Sequence, residues 1–197
     1  MSPHGVSKRH SKKIGNDSCI VLDAFTGIGG DLLHLQKCVF SVGCEIDSRR
    51  IETAKSLHGQ LAKNSSDFIL CDSLRGKSCF RGHCFDFVYL SPPWGYSGAR
   101  NRREAPVFGN RRLASLELDG FLVFKRAQQL AKGNSIAFYL PRGMAVWEIQ
   151  TLASETQGPV LVDVHVSYDP DDEVVKPKHK YKVRAVTAYF GELAKGP

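Results

Sequence analysis

The sequence predicts an α/β fold: a mostly parallel, doubly wound sheet with an antiparallel hairpin at its edge. Three observations point there. Short apolar, β-branched or aromatic runs take turns with segments of helical periodicity along most of the chain. The runs are nearly continuous in apolar character, as strands are when both faces of a sheet are covered. The last two runs follow one another across a polar loop, 169–182, with no helix between them.

Each element has its own signal. Cys19 to Ala24 reads as the first strand, followed by a turn rich in glycine (Gly27, Gly29, Gly30) and a short helix from Asp31 to Lys37. Val39 to Ile46 is the second strand. Ser48 is placed to cap a helix whose apolar stripe is Ile51, Ala54, Leu57 or His58, and Leu61. Phe68 to Cys71 and Phe85 to Leu90 are strands three and four. Beyond a long arginine-rich stretch, Gly120 to Ala131 reads as a helix, Ser135 to Leu140 as strand five and Val146 to Ala153 as another helix. Val160 to Tyr168 and Val183 to Phe190 complete the sheet as the edge hairpin.

The 197 residues suit one domain, 19–197, behind a basic tail, 1–18, in which Lys8, Arg9, Lys12 and Lys13 have no acidic neighbour. No apolar run reaches the ~18 residues of a membrane span, and the N-terminus lacks the hydrophobic stretch of a secretory signal. An intracellular protein with no membrane contact follows. The nucleus ahead of the cytoplasm and a monomeric state are further expectations. A net charge of +7 biases the partner toward nucleic acid or phosphate. The six cysteines form no C-x-x-C pair; Cys79, His83 and Cys84 fall short of a zinc set, and no metal is expected. Cys19, Cys44 and Cys71 lie in apolar segments and read as small buried hydrophobes.

The turn after strand one runs Asp23-Ala24-Phe25-Thr26-Gly27-Ile28-Gly29-Gly30-Asp31. Glycine there lets the backbone approach a ligand while the chain reverses into a helix. Strand two ends in Glu45, about 20 residues past the turn, where a ribose diol is held by two hydrogen bonds. A pyrophosphate would be repelled by Asp23 and Asp31, whereas an amino-acid ammonium and a sulfonium would be attracted. Asp72, after strand three, falls where an adenine amino group could donate. Asp23, Phe25, Thr26, Gly27, Gly29, Glu45 and Asp72 together point to S-adenosylmethionine, with S-adenosylhomocysteine as its product.

Strand four leads into Ser91-Pro92-Pro93-Trp94-Gly95. Two prolines fix an extended exit and remove two donors, leaving carbonyls and the Ser91 hydroxyl beside an aromatic plate. An amine on a nucleobase is a poor nucleophile, and such a corner can accept its N–H hydrogens while the ring stacks on the base. The SPPWG corner resembles that of the trimethylguanosine synthase family, enzymes of RNA cap guanosine-N2 methylation. DAFTGIGG, NSIAFYLPR (Asn134 to Arg142) and VRAVTAYFGEL (Val183 to Leu193) resemble the same family in the same order. The resemblance implies a Rossmann-like class I methyltransferase acting on 7-methylguanosine-capped RNA to give di- or trimethylguanosine. It implies that Ser91, Pro92 and Trp94 form the catalytic corner, with Ser91 also touching the cofactor. Trp94 would stack on the cationic base, for which an indole face is the best aromatic partner. Arg142 would contact the cap's phosphates, and Arg103, within the run Arg100, Arg102, Arg103, Arg111 and Arg112, is a further substrate contact.

Two features depart from that family. Its members usually carry a helical extension before strand one, where this chain has about eighteen residues, which implies a trimmed chain or a minimal member with a more open guanine site. Tyr96 stands where a second glycine is more usual. Two other readings stay open: an internal-base RNA methyltransferase acting on adenine N6 or guanine N2, and a non-catalytic cap- or RNA-binding module.

Overall fold

The computed structural model describes residues 19–35, 40–61, 66–74, 80, 82, 84–94, 113, 118–168 and 181–195. Its strands are β1 (Ile20–Asp23), β2 (Phe40–Glu45), β3 (Ser66–Leu70), β4 (Phe87–Leu90), β5 (Ile136–Pro141), β6 (Leu161–Tyr168) and β7 (Tyr181–Phe190). They form one sheet in the order β3-β2-β1-β4-β5-β7-β6. The pairs β1–β2, β2–β3, β1–β4 and β4–β5 are parallel, whereas β7 runs antiparallel to both β5 and β6. The expected hairpin is therefore present. Its second strand is the inner one, and β6 forms the edge.

Helices α1 (Leu32–Leu35), α2 (Ser48–Leu61), α3 (Gly120–Leu130) and α4 (Val146–Glu155) flank the sheet. In α3, Asp119 Oδ1 accepts from Phe121 N at 2.9 Å, capping an orphan donor of the first turn. Its buried residues Val123, Phe124, Ala127 and Leu130 recur every three to four positions. The cap of α2 differs from expectation: Asp47 Oδ1, not Ser48, accepts from Arg49 N, at 2.8 Å. A carboxylate there also meets the positive end of the helix dipole. The stripe of α2 is Ile51, Ala54 and His58, while Leu61, at the end of the helix, is 61% exposed.

Alternation along the strands divides the core between two faces. Leu22, Val88, Leu90, Phe138 and Leu140 meet α3 and α4 on one side; Val21, Phe87, Tyr89, Tyr139 and Tyr189 lie on the other with Leu32, Leu35 and Leu193. Cys44 is buried and free, its thiol pushed up to about 12 chiefly by burial, so it is inert. Cys71 is disulfide-bonded rather than a free buried thiol.

Two glycines report opposite constraints. Gly191 has φ +63°, and a Cβ there would lie 2.3 Å from Gly133 O. Gly59 sits inside α2 with open space where a Cβ would go. Gly191→Ala is expected to lower stability by ~2–4 kcal/mol, and Gly59→Ala to raise it by up to ~1 kcal/mol. Parallel urea denaturations check both, and equal effects would contradict the backbone described.

Candidate active site

The order of the parallel strands decides what can come together. Reading across the sheet's carboxyl edge, β3, β2, β1 and β4 deliver Asp72, Glu45, Asp23 and Ser91 in that spatial sequence. Neighbouring strands lie about 4.8 Å apart, so the row spans the length of a small, extended ligand. Between its last two members, at the β1/β4 junction, chain order reverses and a crevice opens outside the strand ends.

The glycine-rich turn is fastened to β2. Thr26 N donates to Cys44 O at 2.9 Å, and Gly27 N to Glu45 Oε2 at 2.9 Å. Glu45 Oε1 takes two more backbone donors, Ile46 N and Asp47 N, each at 3.0 Å. A carboxylate has about four acceptor sites. Among the described residues, Glu45 therefore keeps one site on Oε2 for an incoming hydroxyl, fewer than the paired bonds to a diol that its position in the sequence suggested. Gly27 and Gly29 have φ of +55° and +84°, which glycine adopts without strain.

The parts that two residues play in shaping this turn escaped the sequence reading. His58 on α2 is buried, and its Nε2 donates to Gly29 O at 2.9 Å, since a carbonyl can only accept. A Cβ on Gly29 would meet that ring nitrogen at 2.7 Å. Gly43, inside β2, leaves room for Thr26: a Cβ there would come within 2.9 Å of Thr26 Oγ1 and of Phe68. A glycine within an otherwise apolar strand was the available signal for this close approach.

Asp23 is fully buried, with Oδ1 accepting from Phe25 N at 3.3 Å. Asp23 Oδ2 and Thr26 Oγ1 are buried polar atoms with no hydrogen-bond partner among the described residues. Burial, and then the nearby charge of Asp31, push the Asp23 carboxyl up to about 8. An ammonium group would supply both the missing donor and a compensating charge, so the residues present fit an amino-acid ligand. Asp72 Oδ1 accepts from Leu74 N at 2.9 Å, which shapes the exit of β3. Between these strand ends and α3 lies a small apolar pocket lined by Phe25, Leu74, Leu90, Val123, Arg126 and Ala127.

At the end of β4, Ser91 and Trp94 are half-buried, Pro92 is buried and Pro93 exposed. The Trp94 ring lies 4.8 Å from that of Tyr139 on β5, tilted by 35°. Its indole nitrogen is buried without a partner among the described residues. Arg142, at the exit of β5, is exposed. Arg103 lies outside the described residues, as do Cys79 and His83; Cys84 is half-buried and is not part of a disulfide. Among the described residues no group of three or more His, Cys, Asp or Glu could hold a metal ion, and no helix is long and apolar enough to cross a membrane.

Residues 18–193 match the RNA cap guanine-N2 methyltransferase family. The chain belongs to that family. It is 28% identical over 155 residues to the trimethylguanosine synthase of Schizosaccharomyces pombe, a match covering 73% of this chain and 59% of that protein's length. Among solved structures, an adenosylmethionine-dependent methyltransferase from Agrobacterium tumefaciens superposes with a TM-score of 0.64 at 13% identity, covering 98% of this chain and 63% of that one. A putative methyltransferase from Streptococcus mutans, in complex with S-adenosylhomocysteine, gives 0.53 at 14% identity, covering 96% and 98%. The fold is the Rossmann-like class I methyltransferase fold.

The buried Asp23 makes stability depend on pH. In the unfolded chain its carboxyl loses its proton near the ordinary value of 3.8; in the fold it holds it up to about 8. Between those values the native state binds more protons than the unfolded one, so stability falls as pH rises. The contribution is on the order of 5 kcal/mol, fully present below pH ~4 and lost by pH ~8. Urea denaturation across that range should show the decline, and Asp23→Asn should flatten it. An identical slope in both proteins would contradict a neutral buried Asp23.

Proposed function

We propose that this protein transfers a methyl group from S-adenosylmethionine to the exocyclic N2 amine of 7-methylguanosine in RNA caps, giving di- or trimethylguanosine. The row Asp72, Glu45, Asp23, Ser91, ending in Trp94, carries this reading. An adenine–ribose–amino-acid ligand laid along it would meet an acceptor for the adenine amine, one for a ribose hydroxyl and one for the ammonium. Its methyl would then face the diproline corner. Family membership supports the same substrate class.

The cofactor supplies an electrophilic methyl on a sulfonium, which departs as the neutral thioether of S-adenosylhomocysteine. The chain's contribution is placement. Gly27 and Gly29 let the backbone close on the ligand, Phe25 lines the apolar pocket and Asp23 receives the ammonium. Because Asp23 is neutral below about pH 8, that contact expels its proton. Cofactor affinity should therefore rise with pH up to that value.

Around the amine, Pro92 and Pro93 offer no N–H, so the corner presents backbone carbonyls and the Ser91 hydroxyl as acceptors. Accepting the amine's hydrogens turns its lone pair toward the methyl carbon, and the alignment supplies the rate. After transfer the nitrogen is a strong acid and loses its proton without a dedicated base. Trp94 would hold the cationic ring by a cation–π contact worth roughly 0.5–2 kcal/mol. Arg142 and Arg103 would reach the cap's phosphates. The partner in this reading is 7-methylguanosine-capped RNA, met by a monomer in the nucleus or the cytoplasm.

Labelled cofactor with 7-methylguanosine-capped or unmethylated GpppG ligands tests the substrate. Label is expected on the first and at least tenfold less on the second. Equal labelling would overturn the cation argument, and label on internal bases alone would replace the cap reading. Trp94→Ala is expected to lower turnover at least 100-fold while S-adenosylhomocysteine affinity changes less than about twofold.

A further inference from the structure

Behind Trp94 the rings continue. Tyr139 on β5 stands 4.8 Å from Trp94, and His165 on the edge strand β6 stands 5.7 Å from Tyr139, its ring inclined at 54°. His165 Nε2 lies 2.7 Å from Oγ1 of the fully buried Thr187 on β7, which fixes the imidazole. The stack therefore crosses the outer half of the sheet, from the diproline corner to its edge, on the face opposite α3 and α4.

An indole attracts a cation through the electron density on its faces. A charge placed behind the stack acts against that attraction, and the partly buried setting screens it less than water would. We propose that His165 tunes the grip of Trp94 on the cationic base: a neutral imidazole leaves the stack attractive to a cation, and a protonated one weakens it. The inference rests on the cap-binding reading of Trp94.

The surroundings favour the neutral ring at ordinary pH. Burial pulls His165 below the usual histidine value of 6.5, opposed by the charge of Asp163 on the same strand. From β5 the facing titratable group is Tyr139; β7 presents the neutral Ala185 and Thr187. Arg184 is exposed and neighbours His165 across the register shift between His165 and Val166. The loss of grip is thus placed on the acid side of pH 6.5, well separated from the titration of Asp23.

Trp147→Phe leaves Trp94 as the sole tryptophan, because the sequence contains two and Trp147 is a half-exposed residue of α4. In that background, Trp94 emission of the ligand-free protein and the affinities for 7-methylguanosine cap analogue and S-adenosylhomocysteine are followed between about pH 5 and 7.5. The parent is expected to bind the analogue about three- to fivefold more weakly at the acid end, with a parallel step in emission. His165→Gln, which keeps a hydrogen-bonding group for Thr187, should show neither step. His165→Arg should bind weakly throughout. S-adenosylhomocysteine affinity should be the same in all three proteins at each pH, which also confirms that each is folded. The proposal is overturned if the analogue's pH curve is the same in the parent and in His165→Gln, or if the emission step survives that substitution. Analogue binding with no step leaves the cap reading standing and removes this one. No analogue binding at any pH, with cofactor product still bound, removes both.

Discussion

The glycine-rich turn after β1 is held in place from β2 and α2 at once, and the rest of the site depends on that anchorage. Thr26 and Gly27 donate to Cys44 O and to the Glu45 carboxylate, and the carbonyl of Gly29 receives the His58 N–H. Gly43 has no side chain because Thr26 Oγ1 occupies the space. A loop fastened this way loses little conformational entropy when a ligand arrives, because its backbone is ordered beforehand. Glu45 serves the scaffold and the crevice together: one acceptor site holds Gly27 of the loop, two hold Ile46 and Asp47 at the exit of β2, and one remains for ligand.

The same anchorage explains how a carboxyl can stay buried at the centre of the sheet's edge. Asp23 closes β1, flanked by β2 and β4, and its neighbours include the acids Asp31 and Glu45. Nothing among the described residues satisfies its second oxygen. A stability-driven design would place an apolar residue there. The retained acid makes sense if its partner is a ligand cation, so the folding cost at Asp23 becomes selectivity for an ammonium over a phosphate. Perturbed titration at a crevice of this kind belongs more to binding sites than to scaffolds.

Much of this was legible in the sequence because local chemistry and topology agree. Continuous apolar strands required a covered parallel sheet, and the polar loop 169–182 required the hairpin. The acids at strand ends shared one edge because parallel strands share a direction. Less legible were features set by contacts across the chain. Asp47 rather than Ser48 caps α2, a choice that adjacent candidates leave to geometry. His58 looked like one of two options in an apolar stripe, and only the packing of α2 against the turn shows that it donates to Gly29. The free capacity of Glu45 depends on which backbone N–H groups turn toward it, which no spacing reveals. Tyr139 and His165 lie far apart in the sequence, and they meet across β7, where the registers set the small side chains of Thr187 and Ala185 between them.

That meeting across β7 links the outer sheet to the chemistry. In a sheet ending at β5, the ring of Trp94 would have Tyr139 behind it and solvent beyond. Adding β7 and β6 extends a packed surface in which Thr187 fixes an imidazole against Tyr139. Two attractions then sit on opposite sides of one corner: acids at the ends of β1 and β2 suited to a cationic cofactor, and a stack of rings suited to a cationic base. Like charges drawn to adjacent sites repel each other, and the diproline corner between them has only neutral groups, Ser91 and bare carbonyls, to offset it. In the proposed reading, separate anionic and aromatic holds would grip both cations without a carboxylate at the point of transfer, where it would hydrogen-bond the amine too strongly and stabilise the reactants more than the transition state.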